Sequence, residues 1–432
     1  MKRIYIKDVK PGERAMIAGW VKTIRKQKTM IFVILRDVTG SIQVSLSREL
    51  QKELVEQVLS ITRESVVRFY GTIIKAPGAH LGGIEMIPDK MEIESVAEDI
   101  PIGEDSGKDL KMDYRWIELR DEKERLIFTI RSFVEYKMRE FFISKGFIEI
   151  HTPKITSQCS EGGADVFKVD YYSQKAYLTQ SPQFYKQMAM AAGFDKVFEI
   201  GPYYRAEKSF TARHAAEAVC VDFEVSHVAS HHELMDIEEE WIVYVLKEVK
   251  KQYGKIIKDV FGKEVLIPEG RIPRIKLAEV FEIFEKEYGI KTDEADRLDL
   301  SPDHEKLICD YAKDKLKSEL VFITDYPAES RAFYSKKIDG TFDSMSFDML
   351  YRGWEMNSGA VREHRYEVLK AQIEEHGIDS SKMADYLEFF RYGVPSHGGI
   401  GLGIARFVSK LLDLPSIKES ILLFRGPSRM KP

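Results

Sequence analysis

The chain has 432 residues, 44% of them hydrophobic and 31% charged, with a formal net charge of −5, a size for two or three domains and the composition of a soluble globular enzyme. No apolar run approaches the roughly 18–20 residues of a membrane span, and the opening MKRIYIKDVK lacks a signal-peptide core, so neither a membrane nor a secretory role is expected. Cys159, Cys220 and Cys309 form neither a disulfide framework nor a CxxC metal site, which points to a reducing cytoplasm, and the acidic balance confines any RNA surface to a local basic patch.

Ala15–Val21, Ile31–Asp37, Ser41–Leu46, Val66–Ile74 and Ile84–Glu94 are rich in β-branched and aromatic residues and are predicted as strands. Thr39-Gly40, Pro77-Gly78 and Gly82-Gly83 supply turns, and Leu50–Leu59 has helical spacing. Five strands with a helix after the third is the arithmetic of a small Greek-key barrel of the OB type, placed at residues 1–98. Another kind of small β-domain is the alternative. Residues 96–123 are charged and carry Pro101, Gly103 and Gly107, so a hinge or linker is placed at 99–124.

The rest, 125–432, reads as one large domain. Ile127, Ile130, Val134, Met138 and Phe141 recur at helical spacing, and Gly146 stands where that helix would stop. An extended Phe147–Ile150 follows, ended by Thr152-Pro153. Ser230 and Glu233 form a capping box before Leu234, Ile237, Trp241 and Val245. Strand-like runs at Ala176–Thr179, Val197–Ile200, Cys220–Val225, Val321–Thr324 and Ser346–Leu350 alternate with helices without regular βαβ order. That pattern predicts an α+β domain around a mostly antiparallel sheet. There is no Walker loop and no GxGxxG after a strand.

Three polar clusters interrupt these segments. The first is Glu161-Gly162-Gly163 with the run Gln180–Gln187; the second is Arg205-Ala206-Glu207, then Arg213-His214 and Asp222-Phe223-Glu224. The third runs from Asp348 through Glu355, Ser358 and Arg362 to His397-Gly398-Gly399 and Gly401–Arg406. Arginines, carboxylates and close-approach glycines suit in-line attack on a phosphate, with guanidinium forks for phosphoryl oxygens and carboxylates for Mg²⁺. Singly each is weak: an Arg-x-Glu on a strand is commonly a surface ion pair, and a glycine-rich run is commonly a turn.

In order and together, these motifs resemble those of the class II aminoacyl-tRNA synthetases of subclass b, most closely the aspartyl enzymes of archaeal type, over nearly the whole chain. Motif 1 resembles the helix 125–145, which in the family builds a homodimer interface. Motif 2 resembles Arg205-Ala206-Glu207 through Glu224, and motif 3 resembles Gly401–Arg406 with the helix after it. The resemblance implies that the chain joins L-aspartate to ATP as an adenylate and passes it to the acceptor end of tRNA(Asp), alone or with tRNA(Asn) as well. It implies that Arg205, Arg406 and Glu355 are catalytic, and that Glu207, His214 and Gly403 join them around ATP. Asp348, Glu355 and Ser358 would hold Mg²⁺. Asp222 would receive the substrate ammonium with Glu161, Gln183 and Ser358 near it, and Lys186 and Arg362 would bracket the side-chain carboxylate.

Lys186 decides against asparagine, whose neutral amide would strand a buried ammonium at a cost of several kcal/mol. Asparaginyl relatives generally carry an apolar residue there. Against this, Val21–Lys28 and Arg205–Ser209 look somewhat asparaginyl, Ala405 stands where an acidic residue is usual, and Ala218 stands where an adenine-stacking aromatic often lies. An asparaginyl-tRNA synthetase and a tRNA-independent adenylate-forming ligase of the asparagine synthetase kind are the alternatives. In the barrel, Phe32 and Gln43 match the aromatic and amide with which the family reads the middle anticodon base, and Lys22, Arg25, Lys26 and Lys28 offer a phosphate-binding patch. Phe32 as barrel core is the competing reading.

Overall fold

Apolar residues at alternate positions make β1 (Arg14–Lys26), β2 (Met30–Arg36) and β3 (Ser41–Ser47) one-sided strands: Ile31, Val33 and Leu35 are fully buried along β2, and Ile42, Val44 and Leu46 along β3. The computed structural model describes residues 1–78, 82–157, 166–208 and 211–432, and the chain divides into two units, Met1–Glu122 and Lys123–Pro432. In the first unit α1 (Lys52–Leu59) follows β3, and β4 (Val66–Lys75) and β5 (Ile84–Ser95) close a barrel in the order β1-β2-β3-β5-β4. This is the OB-type barrel that the strand spacing predicts. β1 runs past Val21 to Lys26 because its polar end still pairs with β2, Arg25 opposite Phe32.

The segment expected as a hinge holds two short helices, α2 (Lys108–Asp113) and α3 (Arg115–Glu118). Arg115 is buried and pairs with Glu118 at 2.6 Å, and Arg120 reaches Glu64 at 3.2 Å, the carboxylate that also pairs with Arg36 at 2.9 Å. Charge alone reads as a solvated linker; Arg115 and Arg120 are nonetheless paired.

The second unit opens with α4 (Glu122–Ser144), which buries the predicted Ile127, Ile130, Val134, Met138 and Phe141 and is followed by Gly146 at φ +79°. After β6 (Ile148–Glu149), the strands β7 (Ile155–Thr156), β8 (Lys168–Tyr171) and β9 (Gln174–Leu178) make a small separate sheet. There follow α5 (Gln183–Ala191), β10 (Lys196–Tyr204), β11 (Glu217–Ser226) and α6 (His231–Phe261), the last with the predicted Ser230–Glu233 capping box. Then come β12 (Arg274–Lys276), α7 (Leu277–Tyr288), α8 (Pro302–Leu316), β13 (Leu320–Thr324), β14 (Ser346–Tyr351) and β15 (Trp354–Arg362). The chain ends with α9 (Tyr366–Glu375), α10 (Ala384–Glu388), β16 (His397–Gly403) and α11 (Ile404–Leu412).

Eight strands form the main sheet in the order β12-β13-β14-β15-β16-β11-β10-β6, antiparallel except at β12–β13 and β10–β6. The fold is therefore α+β, without the regular crossovers of a doubly wound sheet. One core packs α4, α6 and α11 against the sheet through residues such as Phe142, Trp241, Phe407, Phe223 and Ile400. No helix among the described residues is long and apolar enough to cross a membrane. Cys220 and Cys309 are buried free thiols, and Cys159 lies outside the described residues.

β16 was expected only as a glycine-rich run. A Cβ on Gly399 would stand 1.9 Å from the Phe223 carbonyl oxygen, and one on Gly401 would stand 2.8 Å from Asp222 Oδ1. The neighbouring strand fills the room that side chains would take, so low intrinsic strand propensity is overridden by packing.

Candidate active site

Alternation along β11 sends Phe223 and Val225 into the core, which leaves Asp222 and Glu224 on the opposite face. Lys186, one turn into α5, lies above both: its Nζ is 3.1 Å from Asp222 Oδ1 and 3.3 Å from Glu224 Oε2, and it donates to the Ile400 carbonyl at 2.9 Å. Arg362, at the end of β15, pairs with Glu224 Oε1 at 3.0 Å and donates to the Gly399 carbonyl at 2.9 Å. Burial alone would raise the Glu224 carboxyl, but Arg362 and Lys186 outweigh it and hold it below its ordinary value. One carboxylate thus spaces two cations at the floor of a cavity.

Behind this floor, Tyr386 donates to Gln187 Oε1 at 3.0 Å, and Gln187 Nε2 meets His397 Nε2 at 3.0 Å. His397 Nδ1 lies 2.8 Å from the Pro395 carbonyl, which can only accept, so Nδ1 carries the proton and Nε2 accepts from Gln187. The ring is neutral, and burial holds its pKa below the ordinary value. In this strand His397 packs behind Lys186 and Arg362 and takes no place in the cavity.

The cavity has a volume of about 240 Å³ and is lined by Gln183, Lys186, Arg205, Asp222, Arg331 and Arg362 among others. Four cations line it with Asp222, while their other partners, Glu224, Asp348 and Glu207, stand outside the lining. Gln183 Nε2 is buried with no hydrogen-bond partner among the described residues, a donor waiting for an acceptor. Glu161 lies outside the described residues.

A second cavity of about 320 Å³ brings together Arg205, Glu207, His214, Glu355, Gly403 and Arg406, the residues expected around ATP. The two cavities share Ser181, Arg205, Asp222, Ser358 and Gly401, so they adjoin along these residues. Arg406 is fixed by donating to the Arg213 carbonyl at 3.4 Å and the Glu355 carbonyl at 3.2 Å. Arg205 lies 3.7 Å from Glu207 and over the Tyr203 ring. Tyr203 stands directly opposite Ala218 in the β10–β11 ladder and presents an aromatic surface where Ala218 has none. Thr211 holds His214, whose pKa is lowered by burial and then by Arg406.

Asp348 and Ser358 pair across β14 and β15, and Ser358 Oγ lies 3.5 Å from Glu355 Oε1. Asp348 Oδ2 is bonded by Arg331 at 2.6 Å, while its Oδ1 is buried without a hydrogen-bond partner among the described residues. Burial raises the Asp348 carboxyl, against Arg331, and nearby Glu355 adds to the rise. No cluster of three or more His, Cys, Asp or Glu among the described residues could cage a metal alone. Two acidic groups with an open oxygen suit Mg²⁺, which takes one or two protein carboxylates plus phosphate oxygens.

Arg331, Glu224, Tyr203 and Glu305 have roles that sequence reasoning did not assign. Glu305 accepts from Arg213 at 2.6 Å and from the Glu355 amide at 2.7 Å. Glu224, two residues beyond Asp222 on one strand, and Tyr203, two residues before Arg205 at the end of β10, carried a signal; Arg331 and Glu305 come from a loop and a helix distant in sequence.

On the barrel, Phe32 is half-buried and outside the core cluster. It sits on the outer face with Arg25, whose guanidinium is 5.9 Å from its ring centre. Arg25 donates to Gln43 Oε1 at 3.0 Å, and Gln43 Nε2 donates to Glu85 at 2.8 Å, so the amide is oriented from both ends. Arg25 is therefore part of this cluster as well as a member of the basic patch.

A family described as tRNA synthetases class II (D, K and N) matches residues 107–425, and one described as OB-fold nucleic acid binding domain matches 15–94. The aspartate–tRNA(Asp/Asn) ligase of Methanopyrus kandleri is 39% identical and aligns over 100% of both chains. The aspartate–tRNA(Asp) ligase of Pyrococcus horikoshii is 38% identical over 98% of this chain and 97% of its own. The crystal structure of asparaginyl-tRNA synthetase from Pyrococcus horikoshii complexed with asparaginyl-adenylate is similar at a TM-score of 0.91 and 29% identity, over 100% of each chain.

Proposed function

Since the chain belongs to the class II tRNA synthetases of the D, K and N group, we propose that it activates L-aspartate with ATP and transfers it to tRNA(Asp) in the cytoplasm. The observation that carries this reading is the pair of cavities meeting at Arg205, one cationic and sized for an amino acid, the other lined by the expected nucleotide residues.

Aspartate enters the first cavity with its side-chain carboxylate between Lys186 and Arg362 and its ammonium at Asp222. Gln183 donates to the substrate. The α-carboxylate then faces the shared edge, where Arg205 holds the α-phosphate of ATP. In-line attack forms the acyl–phosphate bond as the bond to pyrophosphate breaks. Arg205 neutralises charge that grows on the phosphoryl oxygens, Arg406 holds the γ-phosphate, and Glu207 accepts from the adenine amino group. Asp348, Glu355 and Ser358 would hold Mg²⁺, which when bound supplies further positive charge to the phosphate oxygens. No side chain acts as a nucleophile; placement and preorganised charge carry the step. The terminal ribose hydroxyl of tRNA then attacks the adenylate carbonyl and AMP leaves.

Asparagine is the reading that the similarity to the asparaginyl enzyme favours. Its amide could satisfy a cation's hydrogen bond but would bring Lys186 and Arg362 no opposite charge in a buried site. A site built for one polar group rejects its analogue by several orders of magnitude.

The outward residues Tyr136 and Ile143 of α4, and Leu422 and Leu423 near the end of the chain, leave apolar surface exposed. A second copy of the chain covers it, giving a homodimer; sedimentation showing a monomer at micromolar concentration would remove this part. The function is tested by charging purified tRNA(Asp) and tRNA(Asn) with radiolabelled aspartate. Charging of tRNA(Asp) is expected. Charging of tRNA(Asn) as well would mark a relaxed anticodon reading, and adenylate formation without charging of either tRNA would favour the tRNA-independent ligase.

A further inference from the structure

Glu355 and Ser358 face the nucleotide cavity although they are three residues apart, a spacing that regular strand alternation sends to opposite faces. A bulge in β15 makes this possible. Leu350 pairs with Glu355 and Met349 with Asn357, so Met356 is an extra residue. Met356 and Asn357 are both almost fully buried, and Ser358 Oγ comes within 3.5 Å of Glu355 Oε1.

Beneath the bulge lies a buried acid that the reaction does not use. Glu238 is fully buried on α6, among Met235, Trp241 and Ile242. Asn357 Nδ2 donates to its Oε2 at 3.2 Å. The other oxygen of each group, Glu238 Oε1 and Asn357 Oδ1, is buried with no hydrogen-bond partner among the described residues. Each group thus keeps a buried acceptor without a donor, and a protonated carboxyl would supply one, since a carboxylic acid donates from one oxygen while accepting at the other.

We propose that Glu238 is a positioning residue held as a neutral carboxylic acid, that it forms a two-way hydrogen-bonded pair with the Asn357 amide, and that this pair fixes the bulge setting Glu355 beside Ser358. Burial pushes the Glu238 carboxyl up to about 8; the Asn357 contact lowers it and Asp348 of β14 raises it. Among the described residues no basic group offsets this rise. The inference rests on the proposed function only in giving Glu355 and Ser358 a use; the protonation state stands apart from it.

Infrared difference spectra of the full chain at pH 7, wild type minus Glu238→Gln, test the protonation. A carbonyl band of a protonated acid, present in wild type and lost in the variant, is expected; a carboxylate band in its place overturns the inference. Glutamine can donate and accept across the same pair, so Glu238→Gln should keep the Mg²⁺ concentration for half-maximal ATP–pyrophosphate exchange within about twofold. Glu238→Leu, folded as judged by its melting transition, should raise that concentration at least tenfold. A folded leucine variant with wild-type Mg²⁺ dependence overturns the positioning role, and so does a glutamine variant that behaves like the leucine one. Should leucine fail to fold, the spectra and the glutamine variant still decide. Absence of aspartate-dependent exchange in wild type would count against the proposed function, while the infrared band would still report on Glu238.

Discussion

At Lys186 three acceptors converge on one ammonium, and one of them, Glu224, is shared with Arg362. The arrangement holds two cations close together in a buried floor, against the two carboxylates Asp222 and Glu224. Lys186→Met should therefore cut aspartate-dependent exchange by about a thousandfold, the scale of 3–5 kcal/mol for a broken buried pair. It should also lower stability, because Asp222 and Glu224 lose a partner. Adding Glu224→Gln should recover part of the melting temperature and none of the exchange; recovery of exchange would mean that Lys186 only holds the fold. Lys186 was legible because a charged residue inside the polar run Gln180–Gln187 matched a known pattern. Arg331 was not, because it comes from a loop whose route to the cavity no local periodicity records.

Glu238 makes a pH prediction at the same scale. Its folded value of about 8 lies above its ordinary 4.5. Below the ordinary value both folded and unfolded chains hold the proton, and the stabilisation is fully present. As pH rises towards 8 the unfolded chain releases the proton first, so stability falls, by at most about 1.4 kcal/mol per pH unit from this group. The melting temperature of Glu238→Gln minus that of wild type should climb between pH 5 and 8. A difference that stays flat would mean that Glu238 is ionised when folded.

At the scale of elements, strand β16 shows packing overruling propensity. Gly399→Ala would drive a methyl into the Phe223 carbonyl oxygen, a backbone atom, and should abolish soluble expression. Gly401→Ala meets first the Asp222 side chain rather than backbone, so it should fold yet raise the KM for aspartate at least tenfold. Equal behaviour of the two in a melting assay would contradict this. The barrel strands and the helices α4 and α6 were readable because alternation and helical spacing survive there undisturbed. β15 and β16 were not, because a bulge and a run of glycines erase the period just where the site needs close approach. In the charged segment 99–124, Arg115 finds its carboxylate three residues on, whereas Arg120 finds Glu64 far along the chain, a pairing no local window records.

At the scale of the molecule, the proposed function assigns adenylate formation to the second unit and tRNA reading to the barrel. Phe32 lies outside the barrel core, so Phe32→Ala should leave adenylate formation and barrel stability nearly unchanged. It should weaken aminoacylation about tenfold or more, since stacking on one base is worth about 1–3 kcal/mol. Equal loss of exchange and charging would remove the anticodon role. The account as a whole rests on the cationic cavity choosing an acid over its amide, and amino-acid-dependent ATP–pyrophosphate exchange without tRNA measures that choice directly. The expected kcat/KM for aspartate exceeds that for asparagine by about a thousandfold or more, the scale of an unmatched buried charge. An equal or higher value with asparagine would contradict it.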